Sequence, residues 1–342
     1  MADTIYYVDG TDVAATHHFL TAGAALAHLK SDHPDLTADN GSGGAGFVGI
    51  EISITSAETA VFNVVGLTTS AACYLRVYTT PAARHAGVWS NSKHRIAVSE
   101  DGALVIQEDY VRLDGLQLSS VRDTASGDAV YTNVGADLRV SNCLIKVTGG
   151  NTYYHIGLDC SVAPGAIFVW NTVVYVASTN GNTVGIYAPT GGAATLSVYS
   201  CAVKSGAYGI YRAGTGTITA KNTYCSGTAG NAFNGTITKT NCASSGTEAG
   251  TADGCLSNIA CDTDTFVNVT AGSEDLHLAA DGLSPLQGHG VNTTGDSAPL
   301  NFTTDIDGQT IGASWSIGAD NIAGSGLSVF VYESTIVDEF NG

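Results

Sequence analysis

The chain has 342 residues, of which 31 are acidic and 13 basic, giving a formal net charge of −18. Charged residues make up only 13% of it, about half of the ~25% usual in soluble domains, so the excess of one sign is what keeps such a chain dispersed. That sign argues against nucleic acid as a partner, and no apolar stretch approaches the ~20 residues of a membrane-spanning helix, so no membrane partner is expected.

The opening TIYYVDG reads as a strand, and with neither a basic n-region nor an apolar h-region it does not read as a secretory signal. Synthesis and retention in a cytoplasm are therefore expected. Between Thr21 and His33 the residues Ala22, Ala25, Leu26 and Leu29 recur at helical spacing, with Thr21 as N-cap and Pro34 just beyond the end. This predicts one short capping helix. A Gly-rich loop follows at 37–46, then strand-like runs at 47–55, 60–66 and 73–79.

The central third repeats. Aligned on a turn residue, VRLDGLQL (111–118), VSNCLIKV (140–147), VWNTVVYV (169–176), VYSCAVKS (198–205), AKNTYCSG (220–227) and KTNCASSG (239–246) place Gly115, Asn142, Asn171, Ser200, Asn222 and Asn241 in one column. The spacings of 27, 29, 29, 22 and 19 residues mean that one loop shortens while the strands persist. Asn suits the turn because it tolerates the left-handed backbone conformation. Four residues before the turn stand Val111, Leu138, Ile167, Leu196, Ile218 and Ile237; two before it, Leu113, Val140, Val169, Val198, Ala220 and Lys239; three after it, Leu118, Ile145, Val174, Val203, Cys225 and Ser244. Positions of period two that stay in phase over six repeats point inward and stack at ~4.8 Å. A further strand precedes each repeat, at 129–133, 155–159, 184–188, 208–212 and 231–235. Three short strands per 19–29 residues predict an all-β solenoid, a parallel β-helix. The expected organisation is an N-terminal strand, capping helix and first rungs (1–70), the β-helix body (71–261), a loop-rich C-terminal cap (262–323) and a tail (324–342).

Three segments carry a family likeness: TIYYVDG with its helix; ARHAGVWSNSKHRIAV (83–98) before ALVIQEDYVRLDGLQL (103–118); and FVNVTAGSEDLHLAADGLSPLQGHG with DIDGQTIGASWSIGAD inside 266–320. Over most of its length the chain resembles right-handed parallel β-helix proteins of the pectate-lyase-like superfamily, in the form common among phage and prophage virion proteins. The segment SPLQGHG departs from the more usual acidic form of that closing, so the resemblance implies no metal there.

Cys143, Cys201 and Cys242 share a column but alternate with Thr172 and Thr223, so they lie two rungs, roughly 9–10 Å, apart and cannot bridge to one another. Cys255 and Cys261 are close in sequence, and their pairing stays open. No Cys/His spacing suggests zinc, the nine His read as surface or capping residues, and Asp305-Ile306-Asp307-Gly308 reads as a turn, so neither a metal nor another cofactor is expected. Extrapolated to the first-strand face, the register sets Tyr131, Asp159, Tyr187 and Tyr211 in one outward column. Asp159 there is a single carboxylate without a companion one rung away, a poor catalytic arrangement, whereas the tyrosines suit contact with sugars or a partner. Leu144, Trp170, Val173, Tyr175 and Tyr199 form an apolar strip, to be covered either by another subunit or by a long loop of the same chain. Leu327, Val329 and Val331 alternate like a strand after Ala323-Gly324, suited to pairing with a partner.

The expectation is a non-enzymatic virion structural protein, a capsid decoration, tail-fibre or spike component. It would be a homo-oligomer, with a trimer favoured by the resemblance, in contact with capsid or tail proteins and with a cell-surface glycan. The alternatives are a polysaccharide lyase or hydrolase and a carbohydrate-binding surface protein, either of them extracellular.

Overall fold

Asn142, Asn171, Ser200, Asn222 and Asn241 all have φ between 46° and 52°, and Gly115 has φ 75°, so the predicted turn column is a stack of left-handed corners. Each corner turns the chain from one sheet into the next. The computed structural model describes residues 4–38, 46–150, 152–160, 163–178, 182–188, 190–191, 194–228, 231–280 and 282–322. All but two of its described strands fall into three sheets of ten, eight and seven strands, every pairing within them parallel and most joining strands of successive turns, which makes a parallel β-helix.

The first sheet runs from His18–Phe19 and Thr4–Val8 through Gly46–Ile52, Cys73–Thr79, Val111–Asp114, Leu138–Ser141 and Ala166–Trp170 to Thr238–Thr240. The second includes Gln117–Arg122, Leu144–Gly149 and Val173–Ala177, and the third Gly127–Thr132, His155–Asp159, Val184–Tyr187 and Tyr208–Tyr211. The sequence register holds: Leu138, Ile167, Leu196 and Ile218 are successive partners, as are Leu118, Ile145, Val174, Val203, Cys225 and Ser244. These side chains are buried, each large aliphatic contributing on the order of 1.5–3 kcal/mol.

The helix Ala22–Asp32 caps the open end of the barrel. Thr21 Oγ1 accepts from the Ala24 amide at 3.1 Å, and the buried Glu58 carboxylate accepts from the Ala22 amide at 3.0 Å, so two of the unpaired N-terminal donors are satisfied. Ala22, Ala25, Leu26 and Leu29 face the first rungs. At the other end, Phe266–Asn268 and Asp275–Leu278 form an antiparallel pair, and the chain then folds back along the turn column. Asn171 donates to the Thr304 carbonyl at 2.6 Å, Asn222 to Val291 at 2.7 Å and Asn241 to His289 at 2.8 Å. Here the turn residues also hold the returning strap.

That strap decides the fate of the apolar strip. Leu144 and Val173 pack with Phe266, Leu276, Leu278, Leu286, Ile306 and Ile317 in a second hydrophobic cluster, and Tyr175 and Tyr199 are buried too. Four of the five strip residues are thus covered by the chain's own C-terminal segment and offer no open surface to another subunit. Trp170 alone stays half-buried, at a cavity on the first sheet. Leu327, Val329 and Val331 lie outside the described residues.

Candidate functional site

Strict alternation fails on the third sheet, and that failure builds a groove. Ala129, Gly157, Gly185 and Gly209 occupy one column, each followed by the inward Val130, Leu158, Ile186 or Ile210. A Cβ on Gly157 would lie 2.4 Å from Val174 Cγ1, and one on Gly185 2.3 Å from Val203 Cγ1 and 2.7 Å from the Gly209 carbonyl. This column therefore also faces the second sheet, and only very small residues fit it. Two consecutive inward positions push the residue before them outward. Asp128, Ile156, Val184 and Tyr208 consequently form a second column in register beside Tyr131, Asp159, Tyr187 and Tyr211.

The predicted column is thus in register, and it has a neighbour. Tyr154, Ile156, Asn182, Val184, Tyr187, Tyr208 and Tyr211 line a cavity of about 270 Å³. The Tyr187 and Tyr211 ring centroids lie 5.1 Å apart, and Tyr208 and Tyr211 4.7 Å apart, both tilted. Tyr131 stands one rung beyond Asp159.

Asp159 is not alone, contrary to the sequence expectation. Asp128 hydrogen-bonds to it, and burial together with the Asp159 charge raises the Asp128 pKa to about 7, against the opposing pull of Arg122. Arg122 donates to the Asp128 carbonyl at 3.3 Å and to that of Glu100 at 3.1 Å, which fixes its guanidinium behind the pair. Near neutrality the Asp128 carboxyl is therefore about half protonated. Sequence reasoning missed Asp128 because regular alternation through Tyr131 and Ala129 turns it inward. The recurring Gly before an inward aliphatic in HIGLD, TVGIY and YGIY was the available signal.

A second constellation closes the C-terminal cap. His277 Nδ1 is 2.6 Å from Asp275 Oδ1 and its Nε2 3.1 Å from Asp307 Oδ2. Burial disfavours the imidazolium, but the hydrogen bonds from Asp275 and Asp307 and the charges of Asp307 and Asp320 outweigh it and raise the His277 pKa to about 10. Ligand atoms of His277, Asp307 and Asp320 lie within 4.8 Å of one another, a set able to hold a metal ion by proximity. The His277 ring already joins Asp275 to Asp307, and the arrangement reads as a clasp of charge. Asp305 to Gly308 is the predicted turn, closed by the Gly308 amide on the Asp305 carbonyl at 3.0 Å.

All eight cysteines are free thiols. Cys255 is not bridged to Cys261; its Sγ accepts from the Cys242 amide at 3.4 Å, and the hydrogen bond with the Cys242 thiol holds its pKa down to about 6. Burial raises Cys143 and Cys201 to about 12, as suits inert core thiols. Among the histidines, His85, His94 and His155 are buried in the body rather than at the surface. Burial lowers both His85 and His94 to about 4.

Compared with protein-family models, with curated proteins and with solved structures, the chain matches none. No helix is long and apolar enough to cross a membrane, among the described residues.

Proposed function

We propose that this protein is a non-enzymatic, rigid β-helix of the phage-virion type that contacts a cell-surface glycan through the tyrosine groove of its third sheet. The observation that carries the reading is the cavity of about 270 Å³ in which four tyrosines surround Ile156 and Val184. Aromatic faces receive the C–H faces of a pyranose ring, and phenol hydroxyls at the rim meet its hydroxyl groups. Parallel strands on both sides hold these rings in place, so little conformational entropy opposes binding. The Asp128–Asp159 pair supplies both an acceptor and a donor for sugar hydroxyls at the end of the groove.

The same pair supports a binding rather than a cleaving role. Carboxyls in hydrogen-bond contact are closer than the ~5 Å between the two groups of retaining glycosidases and the ~6.5–9.5 Å of inverting ones. The virion setting rests on the sequence resemblance, and so does assembly as a trimer beside capsid or tail proteins. With most of the apolar strip covered, such assembly has to use other surfaces.

Glycan-array binding of the intact chain is the test, repeated with Tyr187→Ala and Tyr211→Ala. Saturable binding lost in both variants, with no new reducing ends on the bound glycan, is the expected result. Turnover of the glycan, or binding indifferent to both substitutions, sinks the reading. Mass spectrometry of purified particles, giving copy number, tests the virion setting.

A further inference from the structure

On the first sheet, three residues before the corner, the outward column carries Arg76, Arg112 and Arg139 on consecutive rungs, with Phe168 next. Stacked guanidiniums repel one another at ~4.8 Å unless anions intervene. Two do. Asp137 takes Arg139 through two bonds of 2.7 and 2.9 Å and Arg112 through one of 3.0 Å; Asp114 takes Arg76 at 3.2 Å and Arg84 at 3.3 Å.

Four arginines against two aspartates leave a cationic excess in a chain whose net charge is −18. Glu51, one rung beyond and accepting from the Tyr78 hydroxyl at 2.9 Å, keeps its charge and lowers this excess to one without removing it. Asp114 is further shared with Asn142, which donates to it at 2.7 Å, and with Ser141 at 3.3 Å. Arg112 Nη1 and Arg84 Nε are buried without a hydrogen-bond partner among the described residues.

Of these, Arg76, Arg112, Arg139, Asp114, Ser141 and Asn142 line a cavity of about 300 Å³ together with Tyr74 and Trp170, and Arg84 stands behind Asp114. The Arg112 guanidinium lies 4.1 Å over the Tyr74 ring and that of Arg76 4.5 Å over Tyr78, which holds both forks flat against the sheet. Trp170 stands one rung beyond Ser141, beside the column.

We propose that this groove binds a sugar bearing a phosphate or sulfate monoester, the oxyanion on Arg112 and its neighbours and the ring against Trp170. The paired, planar face of Arg139 is already taken by Asp137. The remaining donors come singly from successive rungs, and such a non-coplanar set suits the three terminal oxygens of a tetrahedral anion better than the two of a carboxylate. The site is separate from the tyrosine groove, which lies on another sheet and whose lining contains no cation.

Calorimetric titration of the intact chain at low ionic strength with glucose 6-phosphate, glucose 6-sulfate, glucuronate, glucose and inorganic phosphate tests the assignment. Expected are saturable binding of the phosphate or the sulfate ester, whichever is the tighter identifying the source, and no binding of glucose. Salt should weaken that binding, and Arg112→Gln should weaken it at least tenfold, about 1.4 kcal/mol. Trp170→Ala should weaken the sugar esters and spare inorganic phosphate. Should Arg112→Gln fail to fold, the more exposed Arg76→Gln is read in its place, with protection of the groove arginines from phenylglyoxal by the bound ester as a second measure. Absence of binding by both esters to the folded chain, glucuronate binding as tightly as either ester, or binding that the arginine substitution and phenylglyoxal leave unchanged overturns the proposal.

Discussion

The arginine groove of the first sheet and the tyrosine groove of the third are built on overlapping rungs, yet they differ in charge and in shape. On the first sheet alternation is regular, as in Cys73–Thr79 where buried and half-buried residues strictly alternate, and one outward column results. On the third sheet the small-residue column faces inward as well, so two outward columns stand side by side. The lesson is that the identity of a column sets the charge of a face, whereas a break in alternation sets its width.

Both grooves depend on one core, and the largest expected effect removes both. Ile167 is fully buried between Leu138 and Leu196, so Ile167→Asp places an unpaired carboxylate in the column at a cost of several kcal/mol. No soluble β-rich protein should be recovered, as judged by circular dichroism. An Ile167→Asp protein melting like the parent would refute the stacking.

His277→Ala comes next, because it leaves Asp275, Asp307 and Asp320 without their shared cation, an effect of about 3–5 kcal/mol. Proteolysis should then release the C-terminal strap first and uncover Leu144 and Val173, with self-association in sedimentation as the consequence. The folded pKa of about 10 lies above the unfolded value of 6.5, so this stabilisation is complete below pH 6.5 and disappears as the pH rises through 10. Protease resistance of the strap at pH 7 and pH 11 should differ in that sense.

Gly185→Ala separates the two grooves. The new methyl meets Val203 and the Gly209 carbonyl, and overpacking of this kind costs about 1–3 kcal/mol. Glycan binding at the tyrosines should weaken while ester binding at the arginines persists; equal loss of both means that the sheets are not independent.

The smallest effect is a pH slope. Asp128 titrates near 7 in the folded chain against 3.8 unfolded, so its contribution is full below pH 3.8 and is lost as the pH rises through 7. Asp128→Asn removes this dependence. Its melting temperature relative to the parent should therefore climb steadily between pH 4 and pH 8. Parallel melting curves across that range would mean that Asp128 ionises freely.

Much of the arginine column was open to reading in the repeat. Arg112 and Arg139 stand three positions before Gly115 and Asn142, and extending the alignment back one rung to CYLRVYT adds Arg76 at the same offset from Thr79. The apolar columns that define the register leave the arginine column out, because its members are outward and polar. Trp170 reads from the sequence as an outward aromatic of the apolar strip, and the register sets it one rung from Ser141, but only the tertiary structure leaves it at the arginine cavity while the strap covers the rest of the strip.

The sequence by itself determined the rungs. Corner residues able to take positive φ, inward aliphatics at period two and a capping helix with Thr21 at its start are all local features, and stacking copies of a local pattern needs no long-range information. Tertiary structure alone decided what lies on top of those rungs. The strap over Leu144 and Val173, the His277 clasp, the approach of Cys242 to Cys255 and the Asp128–Asp159 contact each join segments by packing or by charge rather than by the repeat. The width of the third-sheet groove beside that contact follows from how closely the second and third sheets meet at Gly157 and Gly185, which no single strand encodes.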